Sequence, residues 1–138
     1  MPRAIEELLR IEPPGAGPGR CCTRDTVLGG RQIKAGEQLF IHLTAANRDS
    51  EEFENPHELD FERERNRHLA FGAGHHRCLG ATFARQNIRV ALEEILSRMH
   101  DIRLVDADPP RRASGIVWGM EYLPLTFTPG SRVGTGRT

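Results

Sequence analysis

Apolar residues recur at steps of three and four in one long stretch of the chain, which begins at Leu79 and ends at Met99. The members of this stripe are Leu79, Phe83, Ala84, Ile88, Ala91, Leu92, Ile95 and Met99. Such spacing places apolar side chains on one face of a helix. We therefore predict a long helix in this region, with its apolar face buried.

A shorter helix is predicted at the amino terminus. Pro2 suits its first turn, where the missing N–H of proline is not needed, and Pro13-Pro14 marks its end. Glu7 and Arg10 lie three residues apart in this helix, so both side chains project from one face. On an isolated helix they would form an ordinary surface ion pair.

Turn residues and short apolar runs fill most of the remaining chain and predict a small sheet. The predicted extended segments are residues 21–27, 38–43 and 102–105. Tight turns are predicted at Gly29-Gly30 and around Gly36. Residues 50–67 are polar and have no clear periodicity, so we expect an irregular connector there, and residues 106–114 are expected to form a polar turn.

Composition excludes several classes of partner. Lysine and arginine total 19, as do aspartate and glutamate, so the formal net charge is zero. This balance gives no bulk electrostatic basis for binding nucleic acid or a membrane surface. No apolar run approaches the ~20 residues that span a bilayer, and the amino terminus lacks the apolar core of a signal peptide. We therefore expect a cytoplasmic protein with no nucleic acid or membrane partner.

The three cysteines form neither a CxxC metal motif nor a disulfide framework. Cys21 and Cys22 are adjacent and are expected to be small apolar filler in a strand. Cys78 differs, because glycines surround it and the predicted long helix starts beside it. Unpaired N–H groups and the positive end of a helix favour thiolate over thiol at such a position. A thiolate at Cys78 can bind metal.

The loop around Cys78 resembles the haem-thiolate loop of the cytochromes P450. The family pattern Phe-x-x-Gly-x-(His or Arg)-x-Cys-x-Gly is matched here by Phe71, Gly74, His76, Cys78 and Gly80. This pattern is long and specific, so it favours haem binding over the other metal chemistries of a lone cysteine.

Two further P450 motifs occur in the family order. Glu7 and Arg10 match E-x-x-R, and the pattern F-x-x-P-x-x-(F/L)-D-x-x-R ends here at Arg63. The resemblance implies that Glu7, Arg10 and Arg63 form one buried ionic cluster, which is tolerable only if each charge is matched. The resemblance extends from Pro2 to about Phe127, and residues 118–127 resemble the closing strand region of the family.

The resemblance also implies a fold class: mainly α with a small β-sheet, as the incomplete, carboxy-terminal part of the P450 fold on the proximal side of the haem. Residues 1–128 are expected to belong to that domain. Residues 129–138 are rich in glycine, serine, threonine and arginine and are expected to form a disordered tail.

The cofactor implied by the resemblance is haem b, with the Cys78 thiolate as axial ligand of the iron. The other cofactor-binding positions that it implies are Arg20, His68, Phe71, Gly72, His76 and Gly80. Among these, Arg20, His68 and His76 are expected to donate charge-assisted hydrogen bonds to the propionates. Phe71 is expected to lie against the sulfur or the ring and to exclude water.

The activity implied by the resemblance is that of a haem-thiolate monooxygenase, which inserts one oxygen atom of O2 into a small organic substrate. Two electrons would come from a redox partner such as a ferredoxin. Arg77, Arg85 and Arg89 are candidate docking residues, since such donors are acidic; a merely solvated arginine-rich face is an equally open reading.

The resemblance places the distal helix of the family, with its acidic residue and threonine, upstream of Pro2. We therefore expect the chain to be a fragment, arising from a truncated gene, a misplaced start codon or a split or decayed gene. Whether the chain alone is an enzyme stays open, and the substrate is not readable.

Other readings remain open at this point. The chain is either a working P450 fragment or a catalytically inactive remnant that at most binds haem, and the missing distal wall favours the remnant for the isolated polypeptide. A zinc module is a weaker alternative, because the spacing of His68, His75, His76 and Cys78 matches no compact finger. A phosphate-binding loop at Gly72-x-Gly74 lacks a preceding strand.

Overall fold

A computed structural model describes residues 1–113 and 115–131. Its helices are α1 (Pro2–Ile11), α2 (Leu43–Ala46) and α3 (Ala81–Arg98), with a single 3-10 turn at Gly74–His76. Its strands are β1 (Gly19–Cys21), β2 (Thr26–Leu28), β3 (Arg31–Ile33), β4 (Gln38–Phe40), β5 (Met99–Leu104), β6 (Arg111–Arg112), β7 (Met120–Tyr122) and β8 (Leu125–Pro129). Both predicted helices are confirmed.

The strands pair into four separate two-stranded antiparallel sheets, so the single small sheet that the sequence predicted is wrong in its arrangement. The pairs are β1 with β4, β2 with β3, β5 with β8 and β6 with β7. β6 lies inside the segment predicted to be only a polar turn. The described part of the chain is therefore more evenly mixed in helix and strand than the mainly α class that was predicted.

The predicted turn at Gly29-Gly30 is confirmed. It joins β2 to β3, with φ of 55° and 77° at the two glycines. Positive φ at both central residues is what a tight two-residue hairpin requires. The predicted strand 38–43 is shorter than expected, because His42 caps α2 by accepting a hydrogen bond from the Ala45 amide.

The irregular connector is also confirmed, and it wraps around α1. Residues 50–67 contain turns and bends without a helix or strand. Phe53 within it is buried, and its ring lies 5.1 Å from the guanidinium carbon of Arg10. Ile5 and Leu9 of α1 are buried as well. The small core thus forms between α1 and the connector that precedes the cysteine loop.

The apolar face of α3 is largely exposed, which contradicts its predicted burial. Ala81 is buried, and Ile88 and Leu92 are half-buried, whereas Leu79 and Phe83 are 103% and 71% exposed. α3 contacts α1 and β5, and these elements cover only one side of it. The remaining apolar surface of α3 is not covered by the described residues.

The end of the chain is only partly described. Pro129, where the disordered tail was predicted to begin, is the last residue of β8 and pairs with Met99. Gly130 and Ser131 are also described, whereas residues 132–138 of that predicted tail lie outside the described residues. The extent of the domain over residues 1–128 stays a prediction.

Candidate functional site

The cysteine loop is closed by hydrogen bonds between its own backbone groups. The Cys78 amide donates to the Phe71 carbonyl at 2.8 Å, and the Arg77 amide donates to the Gly74 carbonyl at 3.2 Å. The Ala81 amide, at the start of α3, donates to the Cys78 carbonyl at 3.3 Å. Cys78 is therefore held between Phe71 on one side and the helix start on the other, as its sequence position predicted.

Glycines leave bare backbone around the cysteine. Gly72 and Gly74 have φ of 68° and 64°, in the left-handed region that favours glycine. A Cβ added at Gly80 would lie 3.9 Å from the Cys78 sulfur. Cys78 itself is exposed. A flat ligand can thus approach the sulfur without meeting side chains at these positions.

This arrangement would suit a haem of the thiolate-ligated type, whose iron a single cysteine can bind. The fit depends on the exposed Cys78 and on Gly80, where even an added Cβ would lie 3.9 Å from the sulfur. Within residues 1–113 and 115–131, no group of three or more His, Cys, Asp or Glu side chains could hold a metal ion. The zinc module therefore gains no support.

The three residues predicted to contact propionates lie in different settings. His76 is exposed in the 3-10 turn, two residues before the cysteine. Arg20 is exposed on β1, and its guanidinium donates to the neighbouring Gly19 carbonyl at 2.8 Å. None of the hydrogen bonds of the described residues joins Arg20 to His76 or Cys78, so the propionate contact of Arg20 stays a prediction.

His68 uses both of its ring nitrogens within the protein. Its side chain is 3% exposed, and its Nε2 lies 2.9 Å from a carboxylate oxygen of Glu6. Its Nδ1 accepts a hydrogen bond from the Ala70 amide at 3.1 Å. The predicted propionate contact of His68 therefore gains no support from this geometry.

The side chains of Glu7, Arg10 and Arg63 lie together in one cluster. The Glu7 carboxylate accepts from Arg10 Nε and Nη2 at 2.8 and 2.7 Å and from Arg63 Nε at 3.2 Å. It also accepts from the Asp60 amide at 3.0 Å and from Asn66 Nδ2 at 2.9 Å. One buried carboxylate thus ties α1 to the connector in front of the cysteine loop.

These contacts shift the ionisation of Glu7. Burial by itself would raise the pKa of this carboxyl, but the hydrogen bonds from Arg10 and the Asp60 amide oppose it, as do the charges of Arg10 and Arg63. Together they lower the pKa of Glu7 from 4.5 to about 2. Glu7 is therefore a carboxylate at every pH in ordinary use.

A second carboxylate cluster, centred on Glu6, was not found from the sequence. Arg85 of α3 donates two hydrogen bonds to the Glu6 carboxylate, from Nε at 2.6 Å and from Nη2 at 2.7 Å. The hydrogen bond from Arg85 lowers the pKa of Glu6, burial opposes it, and the bond with His68 adds to the lowering. Glu6 and Arg85 are 79 residues apart in the sequence. Because no motif links the two positions, the sequence does not predict their contact.

Two of the three arginines proposed for partner docking already face carboxylates. Arg85 is half-buried and bound to Glu6, as described above. Arg89 lies 2.9 Å from Glu93, one turn along α3. Arg77 lines the same shallow cavity as Gly72, Gly74 and Arg85. The charge available for an acidic partner is therefore smaller than the arginine count indicates.

None of the helices in the described part of the chain combines the length and the hydropathy that crossing a membrane requires. The cytoplasmic location stays a prediction.

Comparison with known proteins places this loop and its supporting clusters in context. The sequence profile of the family described as Cytochrome P450 matches residues 1–119. The chain is 40% identical over 134 residues to the Steroid C26-monooxygenase of Mycolicibacterium smegmatis, covering 96% of this chain and 33% of that protein. It is 46% identical over 133 residues to the Nocardicin C N-oxygenase of Nocardia uniformis subsp. tsuyamanensis, covering 92% and 33%.

A solved structure shows the same likeness. The substrate-free cytochrome P450 CYP150A6 of Mycobacterium marinum matches with a TM-score of 0.85 and 40% identity, covering 94% of this chain and 34% of that one. The chain thus spans about a third of the length of these relatives. The family match across residues 1–119, with relatives at 40% and 46% identity, shows that the chain belongs to the cytochrome P450 family.

Proposed function

We propose that this chain forms the carboxy-terminal, proximal haem side of a P450 monooxygenase and donates the iron ligand from Cys78. The observation that carries this proposal is the exposed Cys78, whose backbone amide donates to the Phe71 carbonyl in a glycine-bearing loop directly ahead of α3. The proposed cofactor is haem b. When bound, haem supplies the oxygen-activating chemistry by which P450s oxidise organic substrates.

Each loop residue has a proposed task toward that cofactor. Cys78 binds the iron as thiolate, and the hydrogen bond from its amide to the Phe71 carbonyl restrains the backbone from which its side chain projects. Gly72 and Gly80 let the backbone lie close to the flat ring. Phe71 keeps water from the sulfur, and His76 donates to a propionate. We keep Arg20 as a second propionate donor, which requires its side chain to leave the Gly19 carbonyl.

The reaction proposed for the whole protein is the insertion of one oxygen atom of O2 into a small organic substrate. The two relatives named above act, by their names, on a steroid and on nocardicin C. These substrates differ widely, so only the class of reaction is proposed for this chain. Electrons are proposed to come from an acidic donor such as a ferredoxin, which docks at Arg77 with smaller contributions from Arg85 and Arg89.

A second candidate function is haem binding without turnover. It is favoured by the exposed apolar side chains of Leu79, just before α3, and of Phe83 within α3. A haem held by the described residues alone would keep one face open to water. Haem affinity without substrate oxidation in the purified chain supports this candidate, and turnover with a supplied electron donor contradicts it.

Haem titration of the purified chain, followed by reduction and addition of carbon monoxide, tests the ligand assignment. Three proteins are compared: the natural sequence, Cys78→Ala and the control Cys21→Ala, whose cysteine is also exposed. We expect a thiolate-type carbon monoxide band in the natural chain and in C21A, and its loss in C78A. A thiolate-type band that survives in C78A would refute Cys78 as the ligand.

A further inference from the structure

The Glu6 carboxylate lies where three separate parts of the chain meet. It belongs to α1, its two oxygens accept from Arg85 of α3 at 2.6 and 2.7 Å, and one of them lies 2.9 Å from His68 Nε2. His68 precedes the cysteine loop, and α3 follows it. Glu6 therefore connects the segment before the loop to the helix after it.

The tautomer of His68 follows from its neighbours. Its Nδ1 accepts the Ala70 amide hydrogen at 3.1 Å, so this nitrogen carries the lone pair. The single proton of the neutral ring is then on Nε2 and is donated to Glu6. Burial lowers the pKa of His68, which agrees with a neutral ring. The hydrogen bond from His68 to Glu6 thus holds the imidazole in place while the ring stays neutral.

Arg85 and His68, the two partners of Glu6, both lie beside the Phe71 ring. The guanidinium carbon of Arg85 stands 4.6 Å from the centroid of the Phe71 ring, within cation–π range. The rings of His68 and Phe71 are 6.3 Å apart, centroid to centroid. The carbonyl of Phe71 in turn accepts the Cys78 amide at 2.8 Å. A continuous chain of contacts therefore leads from Glu6 to the cysteine.

We propose that Glu6 is a positioning residue for Cys78, which it orients by holding Arg85 and His68 against Phe71. This role rests on the proposed function, because it matters to haem only if Cys78 is the ligand. The neighbouring Glu7 serves a different purpose, since its partners lie on α1 and in the connector. The two adjacent glutamates thus have different partners: Glu7 binds the connector, and Glu6 binds the residues that flank the loop.

The partial exposure of the Glu6 cluster allows it to be removed without emptying the core. The side chains of Glu6 and Arg85 are 29% and 30% exposed, in contrast to the fully buried Glu7 and Arg10. Glu6→Gln keeps the volume but cannot accept from the Arg85 fork with both atoms. Arg85→Lys keeps the positive charge but loses the planar guanidinium, which donates two hydrogen bonds to Glu6 and stacks on Phe71.

The test measures the loop with and without haem. The first readout is the amide hydrogen exchange rate of Cys78 in the haem-free chain, where the amide donates to Phe71. The second is haem affinity, together with the fraction of the reduced carbon monoxide complex that shows the thiolate-type band. The variants are E6Q, R85K and the control Glu93→Gln, which removes the exposed pair of Glu93 with Arg89 on the same helix.

We expect E6Q and R85K to speed Cys78 amide exchange about tenfold and to weaken haem binding and reduce the thiolate fraction, while E93Q resembles the natural chain. Lower thermal stability in E6Q with unchanged Cys78 exchange would reduce Glu6 to a structural role and overturn the proposal. If E6Q fails to fold, R85K tests the proposal by itself, through Cys78 amide exchange and through haem affinity with the thiolate fraction. Faster exchange in E6Q together with a thiolate band retained in C78A would sink the proposed function and leave the positioning of the loop standing.

Discussion

Glu7 and Arg10 form a fully buried ion pair in which the guanidinium donates to both carboxylate oxygens, at 2.8 and 2.7 Å. The remaining Arg10 hydrogens go to backbone carbonyls of Asn47, Pro56 and Glu58, at 2.9, 2.7 and 2.9 Å. All donors of the guanidinium are therefore used. The pair is tolerable in the core because neither charge is left unmatched.

Replacement of Arg10 by lysine should be strongly destabilising, although the charge is kept. A lysine ammonium is a point charge and cannot reproduce a fork that reaches Glu7 and three carbonyls at once. We expect the free energy of unfolding to fall by about 3–5 kcal/mol. Urea unfolding followed by circular dichroism measures this loss. Arg89→Lys, at an exposed pair on α3, is the matched control, and equal losses in the two variants would contradict the argument.

Removal of Arg63 tests the second cation of the cluster. Its side chain is 10% exposed, its Nε lies 3.2 Å from Glu7, and its Nη1 donates to the Glu54 carbonyl at 2.9 Å. Arg63→Ala leaves part of the Glu7 charge unmatched, so a loss of about 3 kcal/mol is expected. Arg65→Ala, whose exposed side chain lies 3.9 Å from Glu52, should cost less than about 1 kcal/mol. A loss at Arg63 as small as that at Arg65 would mean that the cluster is dispensable.

The lowered pKa of Glu7 predicts how stability depends on pH. The folded chain binds the proton of this carboxyl only near pH 2, whereas the unfolded chain binds it near pH 4.5. The unfolded state therefore takes up more protons in that window, and acid favours unfolding. Glu7 contributes about 3 kcal/mol of stability above pH 4.5, which is lost as the pH falls toward 2.

Denaturant unfolding between pH 7 and pH 3 measures this effect. Glu7→Gln should be less stable at pH 7, and its free energy of unfolding should fall less steeply as the solution is acidified. The control Glu64→Gln should follow the natural chain, since Glu64 is exposed. Identical slopes for the natural chain and E7Q would show that Glu7 does not carry the acid sensitivity.

The resemblance to the P450 motifs implied the Glu7 cluster, whereas the three-residue step between Glu7 and Arg10 alone predicted an ordinary surface ion pair. Arg63 was added to the cluster by the second motif. The cysteine loop was likewise identified from its motif. The ion pair of Glu6 and Arg85 was not predicted, because their contact depends on how α1 packs against α3 and not on any local spacing.

Strand pairing and burial were the weaker predictions for a related reason. Alternation predicts that a segment is extended, but the partner of β5 is β8, which lies more than twenty residues further along the chain. The two-residue strand β6 is too short to show a pattern. On α3, periodicity shows that one face is apolar and not whether the described residues cover it, so Leu79 and Phe83 were predicted to be buried and are exposed.

Gly17 should tolerate no side chain. Its φ is 151°, and a Cβ added there would lie 1.8 Å from the Ile41 carbonyl oxygen. Gly17→Ala must therefore move the backbone at the entry to β1, at a cost of about 2–3 kcal/mol. Thermal unfolding of the variant measures the cost. Gly19→Ala is the control, since its nearest neighbour would be 4.0 Å away and its φ is unstrained, and a Tm unchanged in both variants would contradict the close approach.

The exposed apolar side chains of α3 predict that the purified chain associates with itself. Phe83 and Leu96 are 71% and 55% exposed on this helix, and exposed apolar surface of this kind promotes association between molecules. Phe83→Gln with Leu96→Gln should lower light scattering at a fixed protein concentration and leave the helix content unchanged, because neither side chain is buried. Leu92→Gln is the contrasting variant: its half-buried position predicts lost stability without a gain in solubility. If the double variant scatters as strongly as the natural chain, association depends on another surface, such as the exposed apolar residues Val27 and Leu28 of β2.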